Sequence, residues 1–258
     1  PCVIPRSRYW GSGTTDTPYG RDLTPPVATA ADIDYVIEHA NAVLESPISR
    51  DDVIGTWAGL RPLLQPGTKD GTSSAKVSRE HTVASPAPGL VAIAGGKLTT
   101  YRVMAADAVD ALLGKQQAAK RPSVTAQTPL LGAQGLDAMA NQAERIGGIY
   151  GWSMQMMRHL LGRYGSELTD LLELADDDTT LAAPLPSAPH CLRVEVVRAC
   201  STEGAQHLRH TLVPRVRRAY EHADRGLAAG PIGAVVAAKA AAVYASHLEE
   251  DEACRSTI

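Results

Sequence analysis

Hydrophobic and polar positions repeat at two different periods along this chain, and the change from one to the other divides it. Residues 3–4 and 9–14 read as short strands, the second made irregular by Gly11 and Gly13. Ile33, Val36, Ile37, Ala40, Val43 and Leu44 then recur at helical spacing and form one apolar stripe. Ahead of that stripe, Thr29-Ala30-Ala31-Asp32 has the spacing of a capping box, and Pro47 follows as a stop. Residues 52–60 alternate loosely and predict a strand, after which residues 65–76 form a polar loop rich in Gly, Ser and Thr. Residues 79–84 predict another strand. The apolar run 90–94 has the length of a buried strand, and Gly95 and Gly96 turn the chain into a helix carrying Val103, Met104, Ala106, Val109, Ala111, Leu112 and Leu113.

Beyond this point the period stays helical. Residues 114–135, broken by Pro122, Pro129, Gly132 and Gly135, read as a linker. Helices are predicted over 136–149, 153–164, 166–174, 192–200, 207–220 and 231–250, with Pro231 suited to a first helical position. A loop with three consecutive acids and three prolines is expected over 176–189. The fold class is therefore α/β plus all-α. Residues 1–122 form a body of interleaved strands and helices, and residues 123–258 form a small helical domain.

Composition narrows the function classes. The 258 residues carry 44% hydrophobic and 21% charged side chains, which describes an ordinary globular chain. A net charge of −3, without basic residues interleaved with aromatics, argues against nucleic-acid binding. The four cysteines, Cys2, Cys191, Cys200 and Cys254, are scattered and read as free thiols. No His and Cys spacing suits a metal, the closest approach being His207 and His210, so no metal is assigned. The Ala-rich stretch 232–245 contains Lys239 and is too short to span a bilayer. A chain opening on Pro1-Cys2-Val3-Ile4-Pro5, inside an apolar run, reads as part of something longer and shows no signal peptide.

The chemistry-bearing feature is the strand, Gly95-Gly96-Lys97, helix sequence. Such a joint presents free backbone N–H groups and the positive end of a helix dipole to an anionic group. The same joint also serves packing alone in many proteins. Arg61 and Arg79 have guanidinium forks that suit a phosphate, and pairing with Asp51, Asp52 or Glu80 is their plainer reading. His81 reads as a strand histidine satisfied by a neighbour rather than as a base. Arg215, Arg217 and Arg218 form a basic cluster that suits either a solvated helix face or an anionic membrane surface.

Five strings occur together in an order that carries a resemblance. They are Gly13-Thr14-Thr15-Asp16, Ser49-Arg50-Asp51-Asp52, Gly59-Leu60-Arg61-Pro62-Leu63, Ser78-Arg79-Glu80 and Gly95-Gly96-Lys97-Leu98-Thr99-Thr100-Tyr101-Arg102. Arg193-Val194-Glu195-Val196-Val197 and Glu203-Gly204-Ala205 extend the likeness. With them the chain resembles the FAD-dependent glycerol-3-phosphate dehydrogenases, within the D-amino-acid-oxidase-like flavoprotein group. It departs from that pattern at Cys191, at Thr202 and over residues 213–218, where Pro214 interrupts a helical stretch.

The resemblance implies FAD as cofactor and oxidation of sn-glycerol 3-phosphate to dihydroxyacetone phosphate, with quinone as electron acceptor. It assigns the substrate phosphate to Arg61 and Arg79, a catalytic role to Lys97, and the flavin to Gly95, Gly96, Lys97, Leu98 and Thr99. The glycine-rich dinucleotide fingerprint and the family's active-site histidine are not in this sequence. The chain is accordingly read as a C-terminal portion holding part of the FAD and substrate-cap domain, expected to bind FAD weakly or not at all by itself. A cytoplasmic location, peripheral on the inner face of the membrane, follows, with a membrane surface and a second copy of the chain as further partners. The alternatives are a related flavoprotein oxidase using oxygen and a truncated, non-catalytic assembly piece.

Overall fold

The computed structural model describes residues 2–6, 9–17, 19, 26–61, 80–185, 188–205, 207, 210, 211 and 215. They divide into two units: Pro1–Asp52 with Trp57–Pro129, and Leu130–Ile258 with Val53–Thr56. Arg79, Arg217, Arg218 and Pro214 lie outside the described residues, as does the helix expected over 231–250 and most of that over 207–220.

In the first unit, β1 (Cys2–Arg6) pairs antiparallel with β2 (Tyr9–Gly13), Ile4 lying opposite Gly11. Helix α1 (Ala30–Asn41) begins at the expected capping box. The Thr29 hydroxyl accepts from Asp32 N–H at 3.2 Å, and the Asp32 carboxylate accepts from Thr29 N–H at 2.9 Å. The helix ends before Pro47 and leaves Val43 outside its buried stripe. The strand expected over 52–60 does not form. Ser49 N–H donates to the Asp52 carboxylate at 2.8 Å and closes a 3₁₀ turn at Arg50–Asp52, after which 53–60 run irregularly. A local side chain to backbone bond outcompetes weak alternation that has no partner strand.

The hairpin β3 (His81–Ala87) and β4 (Leu90–Gly95) is antiparallel and sets His81 opposite Gly95. It turns at Gly89, whose φ of +76° favours glycine. A 3₁₀ turn at Leu98–Thr100 leads into α2 (Tyr101–Leu113), which packs on β3 and β4. The expected linker contains a further helix, α3 (Lys115–Lys120), started by Gly114. Strands and helices interleave as the pattern implies, yet every strand pairing among the described residues is a two-stranded antiparallel ribbon.

The second unit is mainly helical. The helix expected over 136–149 is split at Gln142 into α4 (Leu136–Asn141) and α5 (Ala143–Tyr150). Helix α6 (Met154–Tyr164) is capped by Ser153, whose hydroxyl accepts from Met156 N–H. Helix α7 (Leu168–Asp177) runs into the acidic triplet, and Asp178 caps the next 3₁₀ turn by accepting from Thr180 N–H. The expected loop 176–189 is thus largely ordered into turns and strands. It contains β5 (Pro184–Leu185) and leads to β6 (Ala188–Leu192), so this half is not purely helical. Helix α8 (Arg193–Ser201) closes the described core.

That core is contiguous. Met157, Leu160, Leu168, Leu171, Leu192 and Val194 are fully buried, and Cys191 packs among them. There the Cys191 sulfur serves as a small hydrophobe.

Candidate functional site

The turn after β4 is built by two consecutive glycines, Gly95 at φ +79° and Gly96 at φ +80°. Few side chains tolerate that conformation once, and fewer twice running. A Cβ on Gly96 would stand 2.5 Å from Met104 Sδ and 3.2 Å from His81 Cβ. The backbone conformation thus favours glycine at 96, and the packing of Met104 and His81 around it adds to that preference, whatever else the turn does.

Past the glycines, the chain uses only part of its own donors, Lys97 N–H reaching the Thr100 hydroxyl at 3.3 Å. Thr100 N–H bonds to Lys97 O at 3.0 Å, and the Thr100 hydroxyl donates to the same oxygen at 2.9 Å. The N–H groups of Leu98 and Thr99 precede the first bond of the turn, so they have no partner within it. Leu98 is 88% exposed, and Lys97 is exposed with no ion pair among the described residues. Two backbone donors and one ammonium in consecutive residues suit an acceptor-rich or anionic group.

Arg61 is held by an acid. Its Nη1 donates to Asp16 Oδ2 at 2.9 Å, both side chains being about one-third exposed. The pair ties the end of the Gly13–Asp16 string to the centre of the Gly59–Leu63 string and leaves the rest of the guanidinium fork with no second carboxylate partner among the described residues. Asp51, Asp52 and Glu80 are not its partner; Asp52 is engaged with Ser49, whose backbone N–H and then hydroxyl hold that carboxyl below its usual range. No hydrogen bond joins Arg61 to residues 95–99 among the described residues. Sequence reading did not find Asp16 as the partner, because a 45-residue separation carries no periodic signal.

His81 is a strand histidine with a neighbour: Nε2 lies 2.7 Å from Asp107 Oδ2 on α2. The carboxylate accepts in either charge state of the ring.

The second unit holds a different polar cluster. The Glu195 carboxylate is completely buried, accepting from Leu192 N–H at 2.7 Å, His159 Nε2 at 2.8 Å and Tyr164 O–H at 3.2 Å. Burial, with the Glu195 charge beside it, pushes the Tyr164 phenol up from its ordinary value. Arg198 bridges Asp170 and Glu167. The available signal for Glu195 was its place three residues into a helix after Leu192, an N3 acid. Arg215, assigned to a basic cluster, is half-buried and donates to the Glu203 and His210 carbonyls. Arg215 is thus tied internally, while Arg217 and Arg218 lie outside the described residues.

Among the described residues, no group of three or more His, Cys, Asp or Glu side chains is placed to hold a metal ion.

The C-terminal domain of alpha-glycerophosphate oxidase matches residues 123–251. The chain is similar to Glycerol-3-phosphate dehydrogenase 2 of Mycobacterium tuberculosis, with 51% identity over 225 residues, 87% of this chain and 38% of that protein. It is 48% identical over 226 residues to Glycerol-3-phosphate dehydrogenase of Mycobacterium leprae, covering 88% of this chain and 38% of that protein. Aerobic glycerol-3-phosphate dehydrogenase of Staphylococcus aureus is 31% identical over 230 residues, 84% of this chain and 40% of its own length. The chain thus spans about two-fifths of the length of the curated relatives it matches. With a family match over half its length, this chain belongs to the family of proteins carrying the C-terminal domain of alpha-glycerophosphate oxidase.

Proposed function

We propose that this chain contributes to an FAD-dependent dehydrogenase that oxidises sn-glycerol 3-phosphate to dihydroxyacetone phosphate and passes the electrons to quinone. The names of the similar proteins support the substrate. The observation that carries the reading is the turn at Gly95, Gly96, Lys97, Leu98 and Thr99, with its two spare N–H donors and exposed ammonium.

These residues fit a flavin. The pyrimidine edge of the isoalloxazine offers carbonyl oxygens to backbone donors, and a cationic side chain there favours the reduced, negatively charged ring. Bound FAD supplies the oxidising chemistry, acceptance of a hydride from C2 of the substrate. Leu98 and Thr99 N–H hold the ring edge in place, aided by a helix-dipole contribution of about 0.3–1 kcal/mol at an exposed site. Lys97 would donate from Nζ to a substrate oxygen and steady the negative charge that grows on it. Arg61, oriented by Asp16, takes the phosphate through its remaining N–H groups, and Arg79 serves the same anion. A charged fork on a dianion is worth about 1.5–3 kcal/mol.

Among the described residues, no helix is long and apolar enough to cross a membrane. We place the protein in the cytoplasm, peripheral to the membrane that holds the quinone. The family description names an oxidase, which favours oxygen as the acceptor in a second reading.

Lys97→Met tests the flavin turn, because the side chain is exposed and its loss leaves no structural partner behind. In the protein carrying this chain, kcat/KM for glycerol 3-phosphate should fall about ten- to a hundred-fold, with flavin content retained. The flavin reduction potential should shift downward with the lost positive charge. An unchanged kcat/KM at an unchanged potential overturns the assignment.

A further inference from the structure

The turn that the proposed function depends on has little apolar material to hold it. No residue of α2 is buried, and Tyr101, Val103, Val109 and Leu112 are all exposed. Yet the direction of α2 against the hairpin decides where the N–H groups of Leu98 and Thr99, and the ammonium of Lys97, face. Something other than burial must fix it.

Three contacts converge on Gly96. In the β3–β4 register His81 lies opposite Gly95, so the ring leaves the strand beside the turn. His81 Cβ packs on one side of Gly96. Met104, one helical turn into α2, fills the hollow that the missing side chain leaves. Asp107 stands three residues after Met104, on the same face of the helix, and its Oδ2 receives His81 Nε2–H at 2.7 Å. The His81 side chain is 20% exposed and that of Asp107 is 49% exposed. One polar tie thus crosses from the first residue of the hairpin to the second turn of α2, with the two-glycine turn enclosed between its ends.

We propose that the His81–Asp107 pair is a positioning clamp for the Gly95-Gly96-Lys97 turn, holding α2 so that Lys97 and the N–H groups of Leu98 and Thr99 point at the flavin. The proposal rests on the flavin reading above for what the turn contacts, though not for the existence of the clamp. His81 and Asp107 act through the turn and are positioning residues. A partly exposed pair adds little to global stability, so its removal should misplace the turn without unfolding the protein. Misplacement by a fraction of an ångström is enough to slow a hydride transfer that depends on alignment.

The test uses His81→Leu, Asp107→Ala and His81→Gln in the protein carrying this chain. Glutamine can still donate to Asp107 from a neighbouring position; leucine cannot. Two measurements are made on each variant: amide hydrogen exchange over residues 96–100, and kcat and KM for glycerol 3-phosphate. His81→Leu and Asp107→Ala should each speed exchange across the turn and lower kcat about ten- to a hundred-fold. KM should stay within about three-fold, since Arg61 is untouched, and thermal midpoints should remain near the parent's. His81→Gln should restore most of both losses, which a merely space-filling histidine would not show. Exchange and kcat in His81→Leu equal to the parent's overturn the clamp, as does a silent Asp107→Ala beside a crippled His81→Gln. Should Lys97→Met leave activity and flavin potential unchanged while His81→Leu still speeds exchange, the clamp stands and the flavin reading falls.

Discussion

In the unit that ends at Pro129, Ala40 is the one hydrophobic side chain buried among the described residues, whereas the unit that follows seals Met157, Leu160, Leu168 and Leu171 completely. The first unit is not short of apolar residues; Trp10, Trp57, Leu98 and Leu112 are simply exposed. Its local geometry is held instead by polar devices: the Thr29/Asp32 capping box, the bidentate Arg50–Asp34 pair, Arg61 on Asp16 and His81 on Asp107. At Gly96 the chain also packs closely against Met104. The C-terminal unit reverses this. There the polar network around Glu195 is embedded in an apolar core and costs desolvation that its hydrogen bonds must offset. Mutations in the two units should therefore differ in kind. In the first they should alter aim, in the second stability.

The largest effect should come from the apolar core. Leu160→Ala should destabilise the second unit by about 2–5 kcal/mol, from lost transfer energy and a residual cavity. Leu112→Ala, at a side chain that is 63% exposed, should stay within about 0.5 kcal/mol of the parent in the same denaturant titration. Equal losses at the two positions would remove the distinction between the units.

Next comes the embedded polar network. Glu195→Ala strips the acceptor from Leu192 N–H and Tyr164 O–H, and should cost about 1–3 kcal/mol because those donors lie in the core. Chemical denaturation of the variant measures it. A cost near zero would mean that water replaces the carboxylate there.

A smaller effect than in the core belongs to the surface cap. Thr29→Ala should cost about 1 kcal/mol at neutral pH. The Thr29 hydroxyl, then its N–H and the Thr17 hydroxyl, hold the Asp32 carboxyl well below its ordinary value of 3.8. A depressed carboxyl lends stability that is present above that ordinary value and is lost as the pH falls through the folded-state value. Parent and Thr29→Ala should therefore converge in stability on strong acidification, as followed by helical circular dichroism. A gap that persists in acid would separate the cap from the Asp32 charge.

What could be read from the sequence follows the same division. The capping box at Thr29, the Ser153 start of α6 and the strand, Gly-Gly, helix joint were legible because each is a local code within a few residues. The strand expected over 52–60 failed where Ser49 and Asp52 bonded locally, and the loop expected over 176–189 failed where Asp178 capped a turn and Pro184 paired opposite Leu192. At the site, the glycine turn, Lys97 and Arg61 were visible as residue types, and the strings around them carried the family. The partners of Arg61 and His81, namely Asp16 and Asp107, were not visible, because pairings across 45 and 26 residues leave no periodic trace. The resemblance assigns Gly96 to the flavin, and the structure adds a second reason for a glycine there in Met104.

The central claim is that this chain takes part in flavin-dependent oxidation of glycerol 3-phosphate, with Arg61 on the phosphate. The most direct measurement is an anaerobic titration of the purified protein carrying this chain with glycerol 3-phosphate, following the visible flavin band. The account predicts stoichiometric bleaching in the parent. In Arg61→Met it predicts unchanged flavin content and bleaching only at about ten- to a hundred-fold higher substrate. Bound flavin that the substrate fails to bleach, or an Arg61→Met titration that overlays the parent's, would contradict it.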